Sequence, residues 1–188
     1  MRTFVAIDLA ESVRAALAKE QARLRSACAR NSELRWTRPE GVHVTLKFLG
    51  EIPAERVAAV TAALEALRGF GRFEVEAKGF GFFPDARHPR VFWAGLEAPS
   101  ALGELAGRVE AALAIIGFAA EDRPFRPHLT LARFRTPRAD PDLAAALEST
   151  GSISLGRFEV DEFFLFESKL RPGGAEYLKL AAFPGARP

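Results

Sequence analysis

Two histidines of this sequence stand in the same short pattern, and that pattern suits proton transfer. HVTL covers residues 43 to 46, and HLTL covers residues 128 to 131. In a β-strand, side chains two residues apart point to the same side, so each histidine shares a face with the threonine two residues later. Each copy therefore predicts a strand that packs on one face and presents an imidazole and a hydroxyl on the other.

Two imidazoles on opposite sides of one substrate atom would suit phosphoryl transfer by in-line displacement. One takes a proton from the attacking water or hydroxyl while the other protonates the leaving oxygen, and an ordinary imidazole pKa of about 6.5 allows both roles near neutrality. The hydroxyls of Thr45 and Thr130, helped by an arginine, could bind the non-bridging oxygens. Candidates for that arginine are Arg133, five residues after His128, and Arg126, two residues before it.

The two motifs belong to a longer repeat with an offset of 85 residues. Arg38-Pro39 returns as Arg123-Pro124 at that offset, and GRFEV at 71–75 returns unchanged at 156–160. Three matches in one register predict that residues 1–188 form a single domain of two related lobes, with a cleft along a pseudo-two-fold axis. The two copies of the motif would then face each other across that cleft.

Periodicity and turn residues predict an α+β protein with mainly antiparallel sheets. We expect helices at Glu11–Arg30, Pro53–Leu67, Ser100–Ile116 and Asp140–Leu147. We expect strands at 3–9, 42–49, 73–83, 90–97, 128–134, 156–167 and 175–183.

For the other residues with reactive or aromatic side chains, the sequence favours a structural role over a functional one. The chain has no HxH, HExxH or CxxC, so the histidines do not predict a metal site, and we expect no cofactor. His88 lies in the turn PDARHPR without a counterpart in the repeat, and Cys28 lies in a helical pattern as a packing residue. Trp36 and the run GFGFFP at 79–84 could stack on bases, but a core position is favoured for Phe80, Phe82 and Phe83.

Charge, hydrophobic content and cysteine count limit the class of protein, but they do not identify its function. The net charge is only +2, the hydrophobic content of 48% is ample for a core, and no stretch is apolar for long enough to cross a membrane. The opening MRTFVAIDLAES is too short in its apolar run for a signal peptide, and a single cysteine suits a reducing compartment. We therefore expect a cytoplasmic protein, and our expectation for its oligomeric state is a monomer.

Three segments together resemble a known family. RWTRPEGVHVTLKFLGEI, RPHLTLARF and SKLRPGGAEYLKL are similar to the bacterial and archaeal RNA 2′,3′-cyclic phosphodiesterases, also called 2′-5′ RNA ligases, of the two-histidine (2H) phosphoesterase superfamily. The resemblance covers essentially the whole chain. It implies a bilobal fold, no metal requirement, and hydrolysis of RNA 2′,3′-cyclic phosphate ends to 2′-phosphomonoesters.

The resemblance also implies roles for residues at matching positions. His43 would be the proton donor to the leaving O3′ and His128 the proton acceptor that activates water, while Thr45, Thr130 and Arg133 would bind the phosphate. The family is also associated with reversible joining of tRNA halves through a 2′-5′ linkage. The motif symmetry leaves the two histidine roles interchangeable, and only their surroundings, such as Lys47 after one motif and Arg133 after the other, could separate them.

Two alternatives stay open at this point. The protein could act on another cyclic nucleotide ester, or carry out 2′-5′ joining as its main task. It could also be an RNA-end binding module in which the histidines only hold phosphate, because a cluster of arginines surrounds the second motif: Arg123, Arg126, Arg133, Arg135 and Arg138.

Overall fold

The fold was analysed in a computed structural model, which describes residues 1–28, 33–171 and 174–186. Within these residues there are four α-helices: α1 (Glu11–Ala27), α2 (Arg56–Glu65), α3 (Ser100–Ile115) and α4 (Pro141–Glu148). They also contain nine strands: β1 (Arg2–Ile7), β2 (Leu34–Trp36), β3 (Val44–Glu51), β4 (Phe73–Phe83), β5 (Val91–Glu97), β6 (His128–Phe134), β7 (Ser154–Val160), β8 (Glu162–Arg171) and β9 (Gly174–Pro184).

Most predicted elements are present, with two differences. The predicted strand 156–167 is wrong as a single element, because the chain forms β7 up to Val160 and a separate β8 from Glu162. Strand β2 was not predicted, since three residues are too few to show a period of two. The predicted end of the first helix at Arg30 lies outside the described residues.

All strand pairs are antiparallel, and they form one curled sheet in the order β7-β4-β5-β6-β3-β1-β8-β9, with β2 pairing with β6. The strands on either side of the centre form two lobes: the first contains β3, β1, β8 and β9, and the second contains β6, β5, β4 and β7. The lobes meet where β3 and β6 share one residue pair, Val44 with Leu129. The predicted α+β bilobal fold is therefore confirmed.

The sheet order is symmetric about its centre, and both copies of the motif lie there. Strands β3 and β6 occupy equivalent central places, as do β1 and β5, β8 and β4, and β9 and β7. The chain leaves one lobe for the other at Asp161, between β7, which pairs with β4, and β8, which pairs with β1. This change of lobe is the physical reason that the predicted strand 156–167 is two strands.

The two GRFEV segments do not occupy symmetric places in the sheet as the two HxTL motifs do. They lie beside each other on neighbouring antiparallel strands of one lobe, with Phe73 opposite Val160 and Val75 opposite Phe158. The two HxTL copies therefore occupy symmetric places in the sheet. The two GRFEV copies, although they share the same offset in sequence, are direct neighbours in one lobe.

The helices cover the face of the sheet opposite the cleft. Their apolar residues, among them Leu17 of α1, Leu64 of α2 and Val109 of α3, are fully buried in one continuous core. A smaller apolar cluster of Phe4, Ala6, Phe164 and Phe166, contacted by Tyr177, belongs to the first lobe. No helix within the described residues combines the length and apolarity that a membrane crossing requires.

Cys28 and His88 lie in the surroundings predicted for a packing residue and for a turn residue. Cys28 is buried, and burial raises the pKa of its thiol to about 11, with the charges of Asp140 and Asp142 adding to the shift. A thiol of this kind is protonated at neutral pH and is a packing residue. His88 is exposed in the turn after β4, where its backbone N–H donates to the Asp85 carboxylate.

Candidate active site

A short 3-10 turn, Pro39–Gly41, positions the first histidine. Its last carbonyl, that of Gly41, lies 2.9 Å from Nδ1 of His43, which directly precedes β3. The turn is held from outside by Arg14, whose guanidinium donates to the carbonyl oxygens of Pro39 at 2.7 Å and Val42 at 3.4 Å. The orientation of His43 therefore depends on a loop that α1 fixes in place.

Arg14 is itself held by a carboxylate that follows β1. Asp8 forms an ion pair with Arg14 and a second one, at 2.7 Å, with Nζ of Lys179 on β9. Burial alone raises the pKa of Asp8, but the hydrogen bond and charge of Lys179 and the charge of Arg14 outweigh it and hold that pKa below its usual value. Asp8 thus stays ionised and joins β1, α1 and β9 behind the first motif.

The ring of His43 is enclosed by aromatic side chains. Phe4 stacks on it with 4.6 Å between ring centroids, and Tyr177 meets it edge-on at 5.2 Å. Burial lowers the pKa of His43 to about 4; the hydrogen bond to Gly41 and the charge of Asp8 oppose this shift, while the charges of Arg14 and His128 add to it. In the free protein at neutral pH, His43 is therefore an uncharged imidazole.

The second histidine has a similar anchor but more open surroundings. His128 is the first residue of β6, its Nδ1 lies 2.8 Å from the carbonyl oxygen of Arg126, and the ring of Phe83 contacts it edge-on at 4.9 Å. Burial lowers the pKa of His128, the hydrogen bond to Arg126 opposes this, and the charge of Arg133 adds to the lowering. No neighbour among the described residues stacks face to face on this ring.

Both anchors select the same imidazole tautomer. A carbonyl oxygen can only accept a hydrogen bond, so Nδ1 of each ring carries a proton and donates it. Nε2 is then the atom left to exchange protons: it is a base when the ring is neutral and an acid when the ring is charged.

A β-bulge lies at the last residue of each HxTL motif and changes which of the following residues face the cleft. Val5 and Ala6 of β1 pair with Lys47 and Thr45, which leaves Leu46 without a partner. Phe92 and Trp93 of β5 likewise pair with Ala132 and Thr130, which leaves Leu131 without one. Because each bulge adds one residue, the side chain five positions after the histidine returns to the face of the histidine and threonine.

The bulges bring Arg133 into the site and turn Lys47 away from it. Arg133 lines the cleft, as does Phe48 at the equivalent position after the first motif. Lys47 is buried on the opposite face, where its Nζ binds both carboxylate oxygens of Glu110 on α3 at 2.8 Å and the carbonyl of Ala119. Lys47 therefore ties β3 to α3 and does not distinguish the two motifs inside the cleft.

The pairing at the centre of the sheet brings the motifs together. Val44 pairs with Leu129, and both are buried, as predicted for the residues behind the histidines. Extending this antiparallel register by one residue on each side sets His43 beside Thr130 and Thr45 beside His128. Each imidazole would then have the hydroxyl of the other motif as a neighbour.

A cavity of about 510 Å³ opens at this point. Its lining includes four of the predicted site residues, His43, Thr45, Thr130 and Arg133, together with residues from both ends of the chain: Arg2, Thr3, Phe4, Ser168, Leu170, Ala175 and Tyr177. His128 does not line the cavity itself, yet its charge contributes to the low pKa of His43. The side chain of Arg126 is exposed outside the cavity, and its carbonyl oxygen is the part that contacts a predicted site residue.

Sequence reasoning missed the aromatic enclosure of His43. Phe4 and Tyr177 lie more than a hundred residues apart in sequence, and their strands reach His43 only because β1 pairs with both β3 and β8. Tyr177 is the single tyrosine of the chain, which was the one available signal. Phe80 and Phe82 are partly buried and pack against the core through Phe92, which agrees with the predicted structural role, whereas Phe83 contacts His128.

The bilobal sheet and the two HxT motifs on its paired central strands are the features of a two-histidine phosphoesterase. The chain matches the family model described as LigT like Phosphoesterase over residues 7–93 and 96–177, and it belongs to that family. The resemblance seen in the sequence is thereby confirmed, and the protein is an enzyme of the hydrolase class.

Several relatives match over nearly their full length. A Methanothermobacter thermautotrophicus protein named RNA 2′,3′-cyclic phosphodiesterase is 32% identical over 184 residues, which are 97% of this chain and 98% of that one. A crystal structure of a Thermus thermophilus protein superposes with a TM-score of 0.80 at 32% identity and covers both chains completely. E. coli LigT complexed with 3′-AMP superposes with a TM-score of 0.79 at 26% identity, covering 99% of this chain and 98% of that one.

Proposed function

We propose that this protein hydrolyses RNA 2′,3′-cyclic phosphate ends to 2′-phosphomonoesters without a metal ion. The observation that carries the proposal is the pair of imidazoles whose Nδ1 atoms are bound to carbonyl oxygens, which leaves both Nε2 atoms for proton exchange, on two strands that pair at the centre of the sheet. Two threonines and Arg133 beside them offer hydroxyl and guanidinium donors for a phosphate.

The reaction needs one proton removed and one supplied. Water attacks phosphorus as His128 Nε2 accepts its proton, the bond from phosphorus to O3′ breaks, and His43 Nε2 gives its proton to O3′. The product is a 2′-phosphate with a free 3′-hydroxyl, and a proton returns to His43 before the next cycle. Thr45, Thr130 and Arg133 stabilise the negative charge on the non-bridging oxygens in the transition state.

This assignment requires His43 to gain its proton together with the substrate. In the free protein, burial lowers the pKa of His43 to about 4, which keeps the donor uncharged at neutral pH. A phosphodiester anion bound beside Thr45 and Thr130 raises the pKa of a neighbouring imidazole, because the opposite charge favours the protonated ring. Substrate binding would therefore charge the donor.

The same low pKa favours the reverse assignment, since a neutral and buried imidazole is a ready base. A substrate with sulphur in place of O3′ separates the two, because a thiolate leaves without being protonated. If His43 is the donor, His43→Ala keeps a near-parental rate on the sulphur substrate and His128→Ala does not. If the roles are reversed, His128→Ala is the variant that keeps its rate.

The activity itself is tested by product identification. A labelled RNA with a 2′,3′-cyclic phosphate end should yield the 2′-phosphate in the presence of EDTA, and His43→Ala or His128→Ala should lower kcat by about 10²- to 10⁴-fold on the ordinary substrate. Turnover retained in both variants would contradict the proposal. A cyclic end that binds and is recovered intact would instead identify an RNA-end binding module.

Joining of RNA through a 2′-5′ linkage is a second candidate activity of the same site. A 5′-hydroxyl of another RNA would replace water, the cyclic ester would open at O3′, and the 2′ oxygen would keep its bond to phosphorus. The proton transfers at the two histidines are the same in both reactions, so the geometry favours neither. Rates on paired tRNA halves and on isolated cyclic ends would rank them, and a panel of other cyclic nucleotide esters would test the breadth of the substrate class.

We further propose that residues 1–188 act as one two-lobed domain with an internal repeat, and that the protein works as a monomer in the cytoplasm. The continuous sheet and shared core support the first point. The free, buried Cys28 is consistent with a reducing compartment. Sedimentation of the purified protein would test the oligomeric state.

A further inference from the structure

Two arginines stand directly opposite each other at the edge of the cleft. Arg35 of β2 pairs with Arg133 of β6, and residues opposed in an antiparallel pair have side chains on the same face with Cβ atoms about 5 Å apart. Arg133 lines the cavity. Arg35 lies beside Arg133, at a point farther along β6 than the place where β6 pairs with β3. The second arginine therefore extends the positive charge of the site outward.

The fold leaves Arg35 no other face to occupy. Its neighbours Leu34 and Trp36 both point to the core, Leu34 as a buried residue and Trp36 with its ring edge-on to Phe92 at 6.0 Å. The alternation of the strand then turns Arg35 to the face of Arg133.

The end of β2 is also fixed to the bulge that presents Arg133. The backbone N–H of Thr37 donates to the carbonyl of Leu131 at 2.8 Å, and the side-chain amide of Gln21 donates to the carbonyls of both residues. This connection fixes the backbone of β2 beside that of β6 near the two arginines.

Neither arginine is neutralised by the protein. Within residues 1–28, 33–171 and 174–186, neither side chain makes an ion pair or a hydrogen bond, and both are exposed. Glu33, two residues before Arg35, accepts a hydrogen bond from the hydroxyl of Thr136. Two like charges directly opposed on a sheet destabilise it, and a bound anion removes that cost.

We propose that Arg35 forms a second anion subsite, which binds the phosphodiester preceding the terminal nucleotide of an RNA whose cyclic end lies between the histidines. This inference rests on the proposed function and adds a substrate requirement to it. Arg133 would contact the reacting phosphate, and Arg35 the next phosphate along the strand. A cyclic mononucleotide lacks that second phosphate, so the subsite favours RNA ends over free cyclic nucleotides.

The test compares a substrate with and without the second phosphate. The substrates are uridine 2′,3′-cyclic phosphate and the dinucleotide UpU with a 2′,3′-cyclic phosphate end. Arg35→Ala should lower kcat/KM on the dinucleotide about tenfold, as expected for the loss of one hydrogen-bonded charge contact, and change it less than twofold on the mononucleotide. Arg35→Lys should recover part of the loss.

The control is Arg108→Ala, which removes the same charge from the exposed surface of α3. This variant should leave both substrates within twofold of the parent. Arg35→Ala should also decrease the dependence of log KM on log salt for the dinucleotide by about 0.7, because one fewer phosphate is neutralised. Its melting temperature should equal or exceed that of the parent, since a like-charge pair has been removed.

The outcomes are distinct. Equal losses of Arg35→Ala on both substrates would overturn the subsite, because Arg35 would then act on the reacting phosphate or on the fold. Unchanged turnover of the dinucleotide would overturn it as well. If the parent turned over neither substrate, the proposed function would fail instead, and anisotropy of a fluorescein-labelled UpU with a 2′-phosphate end would still decide whether Arg35 contributes to binding.

Discussion

The two HxT motifs share a strand register, a bulge and an imidazole tautomer, yet their surroundings differ. His43 stacks on Phe4, meets Tyr177 edge-on, and is held by a loop that Arg14 and Asp8 fix. His128 contacts one aromatic edge and lies beside the exposed Arg133. The site therefore combines one enclosed histidine with one that is open to charge and solvent.

This difference gives two copies of one motif imidazoles in unequal environments. In the free protein the pKa values of both imidazoles are lowered, that of His43 to about 4, so the proposed donor gains its proton only with the bound phosphate. Unequal burial separates their pKa values, and the bulges place an aromatic ring, Phe48, and a cation, Arg133, at equivalent positions on the two sides. The asymmetry lies in the surroundings and not in the motif.

Apart from the histidines themselves, the largest expected effect concerns the residue five positions after each of them. Arg133→Ala should lower kcat by about 10²- to 10³-fold, because it removes a charged donor from the developing negative charge. Phe48→Ala, at the equivalent position, should have a much smaller effect on kcat, since it removes no donor. Steady-state kinetics on one cyclic-ended RNA measures both, and similar losses in the two variants would contradict the asymmetry.

The buried His43 should make the folded state sensitive to mild acid. Its folded pKa of about 4 lies below the ordinary value of 6.5, so the unfolded chain takes up a proton first as the pH falls. This contribution is fully present above pH 6.5 and is lost by pH 4, and it amounts to about 3 kcal/mol of unfolding free energy.

Urea unfolding across that pH range provides the measurement. His43→Asn retains a donor for the Gly41 carbonyl but does not titrate, so the pH dependence between 6.5 and 4 should become flatter. His128→Asn, the matched control, should flatten it less, because His128 is less buried. Asp8 does not change the stability in this pH range. Its pKa is lowered in the folded protein, so its own contribution to the unfolding free energy is lost only at more acidic pH. An unchanged slope in His43→Asn would contradict the account of its burial.

The loop anchor of the first motif should have a smaller effect. Arg14→Met removes the donors to Pro39 and Val42, so the Gly41 carbonyl loses its fixed position, and kcat should fall about tenfold. The pKa of His43 should rise, because the charge of Arg14 lowers it. Arg157→Met, which breaks ion pairs on the surface of β7, serves as the control and should change neither quantity.

Much of the cleft could be predicted from local sequence because its central features are local. The alternation around His43 and His128 correctly assigned Val44 and Leu129 to the core. The bulges could not be predicted, because a bulge is defined by the partner strand, and strict alternation would have turned Arg133 away from His128. Phe4, Tyr177 and the lobe change at Asp161 depend on pairings between distant segments, for which a single sequence holds no local signal.

The central claim is that burial separates the two imidazoles, and an NMR titration of their ring carbons in the free protein tests it most directly. Histidine-to-asparagine variants would assign the two signals. We predict that His43 titrates with a pKa of about 4, and that the pKa of His128 is lower than its ordinary value but higher than that of His43. Equal pKa values, or a lower value for His128, would contradict the account.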